Sequence, residues 1–305
     1  MVCIVPMSQG ISQPWADSRE ATTAVLSPSE GKFKRDQLVR DGYCVIPGVL
    51  SGDLLARWRA YSDQVLDSTQ ADPATKYQGS DFHINSKRRF DRGDMHRPDL
   101  ALWSSLVDEL IDLPAARQAC EALGFEGQEP DDTVLILSKP AYGPPLYWHQ
   151  DFMEWNHPKA GLPWPTKVFL SYYLVDTTRE NGCLRAIPGS HLRRLPLHDL
   201  LPAAHGPEIQ AVGMEHPAFM NHPDAIDLPV NAGDLVINDA RVLHAAYGNM
   251  TGQRRTLLLQ WHGIFPYPSV PSWWDGDVPE DLLRAASPDE QFEPSRIPKQ
   301  YLATR

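Results

Sequence analysis

The feature that most constrains this fold is a His-X-Asp pair, His149 and Asp151, at the end of a short aromatic stretch. The stretch follows Gly143-Pro144-Pro145, and a tight loop before aromatic residues predicts a strand from Leu146 to Phe152. Side chains alternate between the two faces of a strand, so the imidazole and the carboxylate share one face. The pattern predicts a β structure that carries a polar site on this strand.

A further potential ligand, His244, ends a stretch that begins at Asp234 and has the pattern of two consecutive strands. Two imidazoles and one carboxylate hold a non-haem Fe(II) on one face and leave positions open for reactants. The order and spacing therefore predict that His149, Asp151 and His244 bind the metal and form the catalytic centre of an oxygenase. Taken singly, either histidine is more often a hydrogen-bonded core residue than a ligand.

Arg255 begins another apolar stretch, which predicts a strand from Arg255 to Trp261. On that strand Arg255 shares a face with Leu257, Leu259 and Trp261. A guanidinium among apolar side chains needs an anionic partner, and a carboxylate bound through both oxygens is the natural one. A 2-oxo acid is one candidate for that partner, and an ordinary ion pair is the alternative.

Several segments together resemble one known family. They are Trp148–Asp151, Thr177–His191, Ala232–Asp234, His244 with Asn249, Thr251 and Arg255 behind it, and, more weakly, Arg40–Ser51. On these segments the sequence resembles the phytanoyl-CoA dioxygenase-like (PhyH) family of Fe(II)/2-oxoglutarate-dependent oxygenases, with Asn-Gly-Cys-Leu and Pro-Gly-Ser-His inside the second segment as the most specific part.

The resemblance implies that His149, Asp151 and His244 bind Fe(II) and that Arg255 binds the distal carboxylate of 2-oxoglutarate. It further implies that O2 and 2-oxoglutarate are co-substrates, with ascorbate as an assisting reductant. The implied reaction oxidises a substrate carbon, most often by hydroxylation. Desaturation, epoxidation and cyclisation stay open as alternative outcomes, and a catalytically silent jelly-roll binding protein stays open as an alternative function.

One position departs from the family pattern. Family members commonly carry a small hydroxyl residue two positions after the distal histidine, and this sequence has Ala246 there. A hydrogen bond to the co-substrate is then absent or replaced. Thr251, Tyr173 and Lys139 are the candidate replacements, and all three are predicted to bind the co-substrate.

The fold is predicted to be mainly β with flanking helices: a double-stranded β-helix (jelly-roll, cupin-like) with N-terminal helices on its outer face. Residues 1–26 are expected to be a flexible arm, and residues 27–305 a single oxygenase domain. A capping box at Ser27 and Glu30 predicts a helix that ends before Gly42. Further helices are expected over residues 51–66 and 98–123. Strands are expected over residues 43–46, 133–139, 146–152, 167–175, 183–187, 235–238 and 255–261.

The charge and cysteine content of the chain argue against some classes of binding partner and site. The formal net charge of −11 argues against nucleic acid or an anionic membrane as the main partner. The four cysteines are scattered and form no Cys-X-X-Cys pair, so the sequence indicates neither a disulfide framework nor a structural zinc site. The sequence has no recognisable signal peptide or membrane span, so we expect a cytoplasmic protein. A monomer and a homodimer both stay open.

The substrate residues are less constrained by the sequence. Phe152, Met153 and Trp155 follow the metal ligands closely and are predicted to line an apolar substrate pocket, although they are equally suited to packing the end of the barrel. Arg89 and Arg92 lie in a cationic stretch that is predicted to close over an anionic group, with a solvated loop as the alternative. The acidic chain favours a small metabolite, as in specialised biosynthesis, over an acyl-CoA.

Overall fold

The structure is a computed structural model that describes residues 26–69, 76–77, 79–86, 105–131, 133–298 and 301–303. The predicted N-terminal arm up to residue 25, together with Arg89 and Arg92, lies outside the described residues. The helices are α1 Pro28–Asp41, α2 Gly52–Ser68, α3 Ser105–Ile111, α4 Pro114–Ala122, α5 Pro207–Ala211 and α6 Glu280–Arg284. The strands are β1 Tyr43–Ile46, β2 Lys76–Tyr77, β3 Ser80–Ser86, β4 Glu129–Pro130, β5 Thr133–Lys139, β6 Leu146–His149, β7 Lys167–Tyr173, β8 Leu184–Ala186, β9 Ile226–Leu228, β10 Leu235–Asp239, β11 His244–Ala246 and β12 Arg255–Gly263.

The strands form two antiparallel sheets. The larger has the order β1-β10-β7-β12-β5-β3-β2, with β4 paired to β12, and the smaller has the order β6-β11-β8-β9. Phe169, Val236 and Leu257 from the larger sheet share one buried cluster with Ala186 and Leu228 from the smaller sheet. The two sheets therefore enclose a common interior, which confirms the predicted jelly-roll.

Helices α1 to α4 cover the opposite face of the larger sheet. Ile136, Leu170 and Leu258 alternate with the inward-facing residues and pack in a second cluster with side chains from the helices, among them Leu38 and Trp58. Period-two alternation along the strands places one set of side chains inside and the other against the helices. The predicted N-terminal helices are thus confirmed on the outer face of the barrel.

Both ends of α1 follow from local chemistry. Ser27 and Glu30 form the predicted capping box, and Gly42 ends the helix with φ of 87°. Glycine suits this position because left-handed φ values are costly for residues with a Cβ. The Gly42 N–H donates to Leu38 O at 2.8 Å, and the Gly42 carbonyl accepts from Asp239 N at 2.8 Å. The helix end is therefore tied to β10.

Replacing Gly42 by alanine is expected to destabilise the fold more than replacing Gly48 by alanine. Both glycines have positive φ, but a Cβ on Gly42 would lie 2.8 Å from His191 Nδ1 and from Val242 Cγ2, whereas a Cβ on Gly48 meets nothing within 4 Å. Gly48→Ala should cost about 1 kcal/mol of unfolding free energy, from backbone strain alone. Urea unfolding of both variants measures the difference in unfolding free energy. Equal losses of unfolding free energy would contradict the close packing of His191 and Val242 around Gly42.

Several predicted elements have different bounds in the structure. The strand predicted over residues 146–152 ends at His149, because the chain turns inward and Phe152 N donates to Ala240 O at 2.9 Å. The helix predicted over residues 98–123 is, where described, the two helices α3 and α4. Pro114 begins α4, and the residue before a proline disfavours the helical conformation, so Leu113 separates the two helices. The strand predicted over residues 167–175 ends at Tyr173.

Candidate active site

Strand pairing brings the two predicted histidine ligands together. His149 at the end of β6 lies directly opposite His244 at the start of β11, and their ring centroids are 4.1 Å apart. Asp151 follows two residues after β6. Asp151 Oδ1 is 3.6 Å from His149 Nε2, and Asp151 Oδ2 is 3.9 Å from His244 Nε2. The structure therefore brings together the three side chains that the sequence singled out.

Backbone hydrogen bonds set the tautomers of both histidines. His149 Nδ1 lies 2.9 Å from Tyr147 O, and His244 Nδ1 lies 3.1 Å from Val242 O. A carbonyl oxygen only accepts, so each Nδ1 carries the proton and each Nε2 presents its lone pair towards Asp151. Metal-binding histidines are commonly oriented in this way, by donating their other ring N–H to a carbonyl.

The electrostatics of the site match a metal centre. Burial lowers the pKa of His149 and of His244, and each histidine also feels nearby charged groups. Burial alone would raise the pKa of Asp151, but the hydrogen bond from His205, followed by interactions with His244 and His149, holds that pKa well below its usual range. The donors are therefore two neutral imidazoles and one ionised carboxylate, which are the protonation states that metal ligands require. This donor set fits non-haem iron.

A third histidine, His205, enters the same site and was missed by sequence reasoning. Donor atoms of His149, Asp151 and His205 all lie within 4.8 Å of one another. His205 lies in the long connection between β8 and β9, where no periodic pattern predicts which way a side chain points. Its position next to Gly206-Pro207 indicates only a turn. Nothing in the sequence therefore linked it to the metal site.

A second polar cluster surrounds Arg255. Arg255 lies directly opposite Lys139 across β12 and β5, and both side chains are buried. Neither forms an ion pair with another described residue. Lys139 Nζ donates to Pro144 O at 2.6 Å, and Arg255 Nε is buried without a hydrogen-bond partner among the described residues. Burial, followed by the charge of Arg255, lowers the pKa of Lys139 to about 7. Like charges directly opposite one another are destabilising, so this cluster fits an anionic ligand.

Tyr173 belongs to the same cluster, whereas Thr251 does not contact it. Tyr173 lies directly opposite Leu257, two residues along β12 from Arg255, and shares the interior cluster with Leu257. Burial raises the pKa of Tyr173, and the charge of Arg255 opposes that rise. The Thr251 hydroxyl instead donates to Asn249 Oδ1 at 2.7 Å within its own turn. Ala246 is buried in β11 and is paired with Leu184 and Leu146. Of the candidate replacements, the structure brings Lys139 and Tyr173 to Arg255 and leaves Thr251 outside.

Two of the predicted substrate residues, Phe152 and Trp155, pack inside the barrel. Phe152 and Trp155 are both buried in the interior cluster, with ring centroids 5.2 Å apart in an edge-to-face arrangement. The Met153 carbonyl accepts from Ser295 N at 2.7 Å, and Trp155 N donates to Ser295 O at 3.3 Å. The C-terminal segment thus holds this loop against the core. The contacts favour the packing role, and no described contact links these residues to an open substrate pocket.

Comparisons with known proteins agree with the fold and with the donor set. The family model described as phytanoyl-CoA dioxygenase (PhyH) matches residues 38–257. The chain is 32% identical to the ectoine dioxygenase of Nocardia farcinica, covering 70% of each chain. It is 27% identical to the ectoine dioxygenase of Stutzerimonas stutzeri, covering 88% of this chain and 87% of that one.

Solved structures show the same architecture. The epimerase SnoN from nogalamycin biosynthesis superposes with a TM-score of 0.55 at 22% identity, covering 88% of this chain and 93% of that chain. HygX from Streptomyces hygroscopicus, solved with nickel and 2-oxoglutarate bound, superposes with a TM-score of 0.55 at 16% identity, covering 82% and 98% of the two chains. At these identities the superpositions establish the fold alone.

The fold and the donor set define a jelly-roll oxygenase of the non-haem iron class. The chain belongs to the phytanoyl-CoA dioxygenase (PhyH) family. It is accordingly an oxidoreductase that depends on iron and 2-oxoglutarate. In the part of the chain that the structure describes, no helix is both long and apolar enough to cross a membrane.

Proposed function

We propose that this enzyme hydroxylates a small-molecule metabolite at an iron held by His149, Asp151 and His244, within a single oxygenase domain that spans residues 27–305. The observation that carries the proposal is the cross-strand pairing of His149 with His244, in which both Nε2 lone pairs face the Asp151 carboxylate. When bound, iron supplies the oxidising power together with O2 and 2-oxoglutarate, which leaves as succinate and carbon dioxide.

Arg255 is proposed to bind the distal carboxylate of 2-oxoglutarate. A guanidinium binds a carboxylate through two parallel hydrogen bonds, and its buried, unpartnered Nε supports a ligand of this kind. Lys139 and Tyr173 are proposed to complete the site in the absence of a hydroxyl at position 246. The apolar interior around Leu257 and Leu259 excludes water from the ion pair, which strengthens it.

Relatives support a small metabolite as the substrate. The curated relatives include ectoine dioxygenases, and a segment of 43 residues is 49% identical to L-proline trans-4-hydroxylase of Streptomyces griseoviridis. Proteins of the same fold include an epimerase and a carbocyclase from nogalamycin biosynthesis, and HygX with hygromycin B bound. Hydroxylation is the proposed outcome because the sequence relatives are named as dioxygenases and a hydroxylase, whereas the likeness to the epimerase and carbocyclase is one of fold.

The proposed function is tested by substrate-dependent turnover. The Fe(II)-loaded protein is incubated with 2-oxoglutarate, O2 and a panel of small metabolites that includes ectoine and L-proline, and succinate and product masses are recorded. Hydroxylation predicts succinate in equal amount to a product that is heavier than the substrate by one oxygen atom. A product lighter by two hydrogen atoms would indicate desaturation or cyclisation instead. An epimerised product of unchanged mass would likewise contradict hydroxylation.

The pH dependence of 2-oxoglutarate binding tests the role of Lys139. The Lys139 pKa of about 7 in the free protein should rise when an anion binds beside it, so binding should take up a proton near pH 8. The affinity should therefore fall as pH rises above 7, by up to about tenfold per pH unit. Anaerobic calorimetry on metal-loaded protein measures both effects. The proton uptake and the pH dependence of the affinity should vanish in Lys139→Met. Both should persist in Lys167→Met, because Lys167 is partly exposed near Asp131.

A further inference from the structure

A hydrogen-bonded chain of three side chains ends on Asp151. Tyr147 Oη lies 3.2 Å from His205 Nδ1, and His205 Nε2 lies 3.2 Å from Asp151 Oδ1. The Tyr147 oxygen also accepts the backbone N–H of His205 at 3.0 Å. The tyrosine therefore holds both the backbone and the ring of His205, and the ring in turn contacts the carboxylate.

The chemistry of the partners fixes the direction of this chain. An ionised carboxylate only accepts hydrogen bonds, so His205 Nε2 must carry the proton that it shares with Asp151. In a neutral imidazole, Nδ1 is then an acceptor, and the Tyr147 hydroxyl is the donor in reach. His205 thus has the opposite tautomer to His149 and His244, whose Nε2 atoms present lone pairs. Its ring is set to donate to the carboxylate.

The backbone around His205 is held in place on both sides. Arg296 Nη1 donates to Ala204 O at 3.0 Å, which ties the loop to the C-terminal segment. His205 itself has φ of 59°, a left-handed conformation that is uncommon for a residue with a Cβ. Such conformations persist where the surrounding contacts fix them, and they concentrate at functional sites. The imidazole is therefore presented to Asp151 by a fixed backbone.

We propose that His205 is a positioning residue of the iron centre, which fixes the rotation of the Asp151 carboxylate by donating a hydrogen bond to one oxygen, while Tyr147 sets the tautomer that makes this possible. This inference rests on the proposed iron site. A carboxylate whose one oxygen already accepts a hydrogen bond presents the other to a metal in a fixed orientation. Partners that orient a metal ligand in this way typically contribute about 10–100-fold to metal affinity.

The test is a Co(II) titration of the full-length protein by calorimetry, without 2-oxoglutarate or substrate. His205→Ala should weaken Co(II) binding by about 10–100-fold. His205→Gln should recover most of the affinity, because a Gln amide N–H can donate to the same carboxylate oxygen. Alanine and glutamine both carry a Cβ and meet the same backbone conformation, so the difference between the two variants reports the side chain. Tyr147→Phe should give an intermediate loss.

A count of coordinated imidazoles separates positioning from ligation. Pulsed electron paramagnetic resonance of the Cu(II)-loaded protein should show two imidazoles in wild type and two in His205→Gln. One imidazole fewer in His205→Gln than in wild type would make His205 a ligand and overturn the proposal. Wild-type affinity in His205→Ala, or no rescue by glutamine, would also overturn it. If His205→Ala fails to fold, the number of coordinated imidazoles in wild type and in His205→Gln still decides between positioning and ligation. Unchanged Co(II) binding by His149→Ala would instead refute the proposed iron site.

Discussion

Replacing His149 or His244 by alanine is expected to abolish stoichiometric Fe(II) binding, and with it all 2-oxoglutarate turnover. Each variant removes one of two imidazoles that face each other across β6 and β11, and two of three protein ligands hold iron poorly. The fold should survive, because the barrel interior and the helix-covered face are built from other residues. Equilibrium dialysis with metal analysis measures the stoichiometry, and circular dichroism measures the fold.

His222→Ala is the matched control for these variants. His222 is partly exposed and accepts a hydrogen bond from Asp224 N within its own turn. Its loss should leave Fe(II) stoichiometry and turnover at wild-type levels. Full Fe(II) binding by a folded His149→Ala or His244→Ala variant would remove that histidine from the ligand set.

Arg255→Ala is expected to weaken 2-oxoglutarate binding far more than Arg254→Ala. Removing one member of a buried charge pair costs about 3–5 kcal/mol, which corresponds to a loss of affinity of roughly 100-fold to several thousand-fold. Arg254 immediately precedes the strand and pairs with Asp63 and Asp67 at the surface, where an ion pair contributes at most about 1 kcal/mol. Anaerobic titration of 2-oxoglutarate into metal-loaded protein gives both affinities.

Arg255→Lys refines the comparison between the two arginines. Lysine keeps the charge but loses the planar fork that binds a carboxylate through two nitrogens, so this variant should fall between wild type and Arg255→Ala. Equal effects of Arg254→Ala and Arg255→Ala on 2-oxoglutarate affinity would contradict the assignment of Arg255. Iron stoichiometry should stay at wild-type levels in all three arginine variants, since none of them touches the metal ligands.

Much of the fold follows from local sequence chemistry. The capping box at Ser27 and the glycine at position 42 define α1, and period-two alternation identifies β5 and β12. Among the predicted strands, the C-terminal end of β6 differs most from the structure. Residues 150–152 continue the pattern of a strand, but the chain there pairs with Ala240 and leaves the sheet. That turn depends on contacts distant in sequence, which a local pattern does not contain.

The residues of the candidate site likewise fall into two groups: those that local sequence patterns predict, and those whose position depends on contacts distant in sequence. His149, Asp151, His244 and Arg255 were predictable because ligand type, spacing and strand alternation all agreed. The proximity of Lys139 to Arg255 depends on the register of β5 against β12, and the sequence alone could offer it only as one of several candidates. His205 was not predictable, because its approach to Asp151 is set by a loop that Tyr147 and Arg296 hold from outside that segment.

The most direct test of the iron site is a crystal structure of the protein loaded anaerobically with Fe(II) and 2-oxoglutarate, with anomalous data collected at the iron edge. The expected result is one anomalous peak bound by His149 Nε2, Asp151 and His244 Nε2, with the distal carboxylate of 2-oxoglutarate on Arg255. An iron bound by His205 in place of His244, or a co-substrate carboxylate that does not contact Arg255, would contradict the assignment of this site.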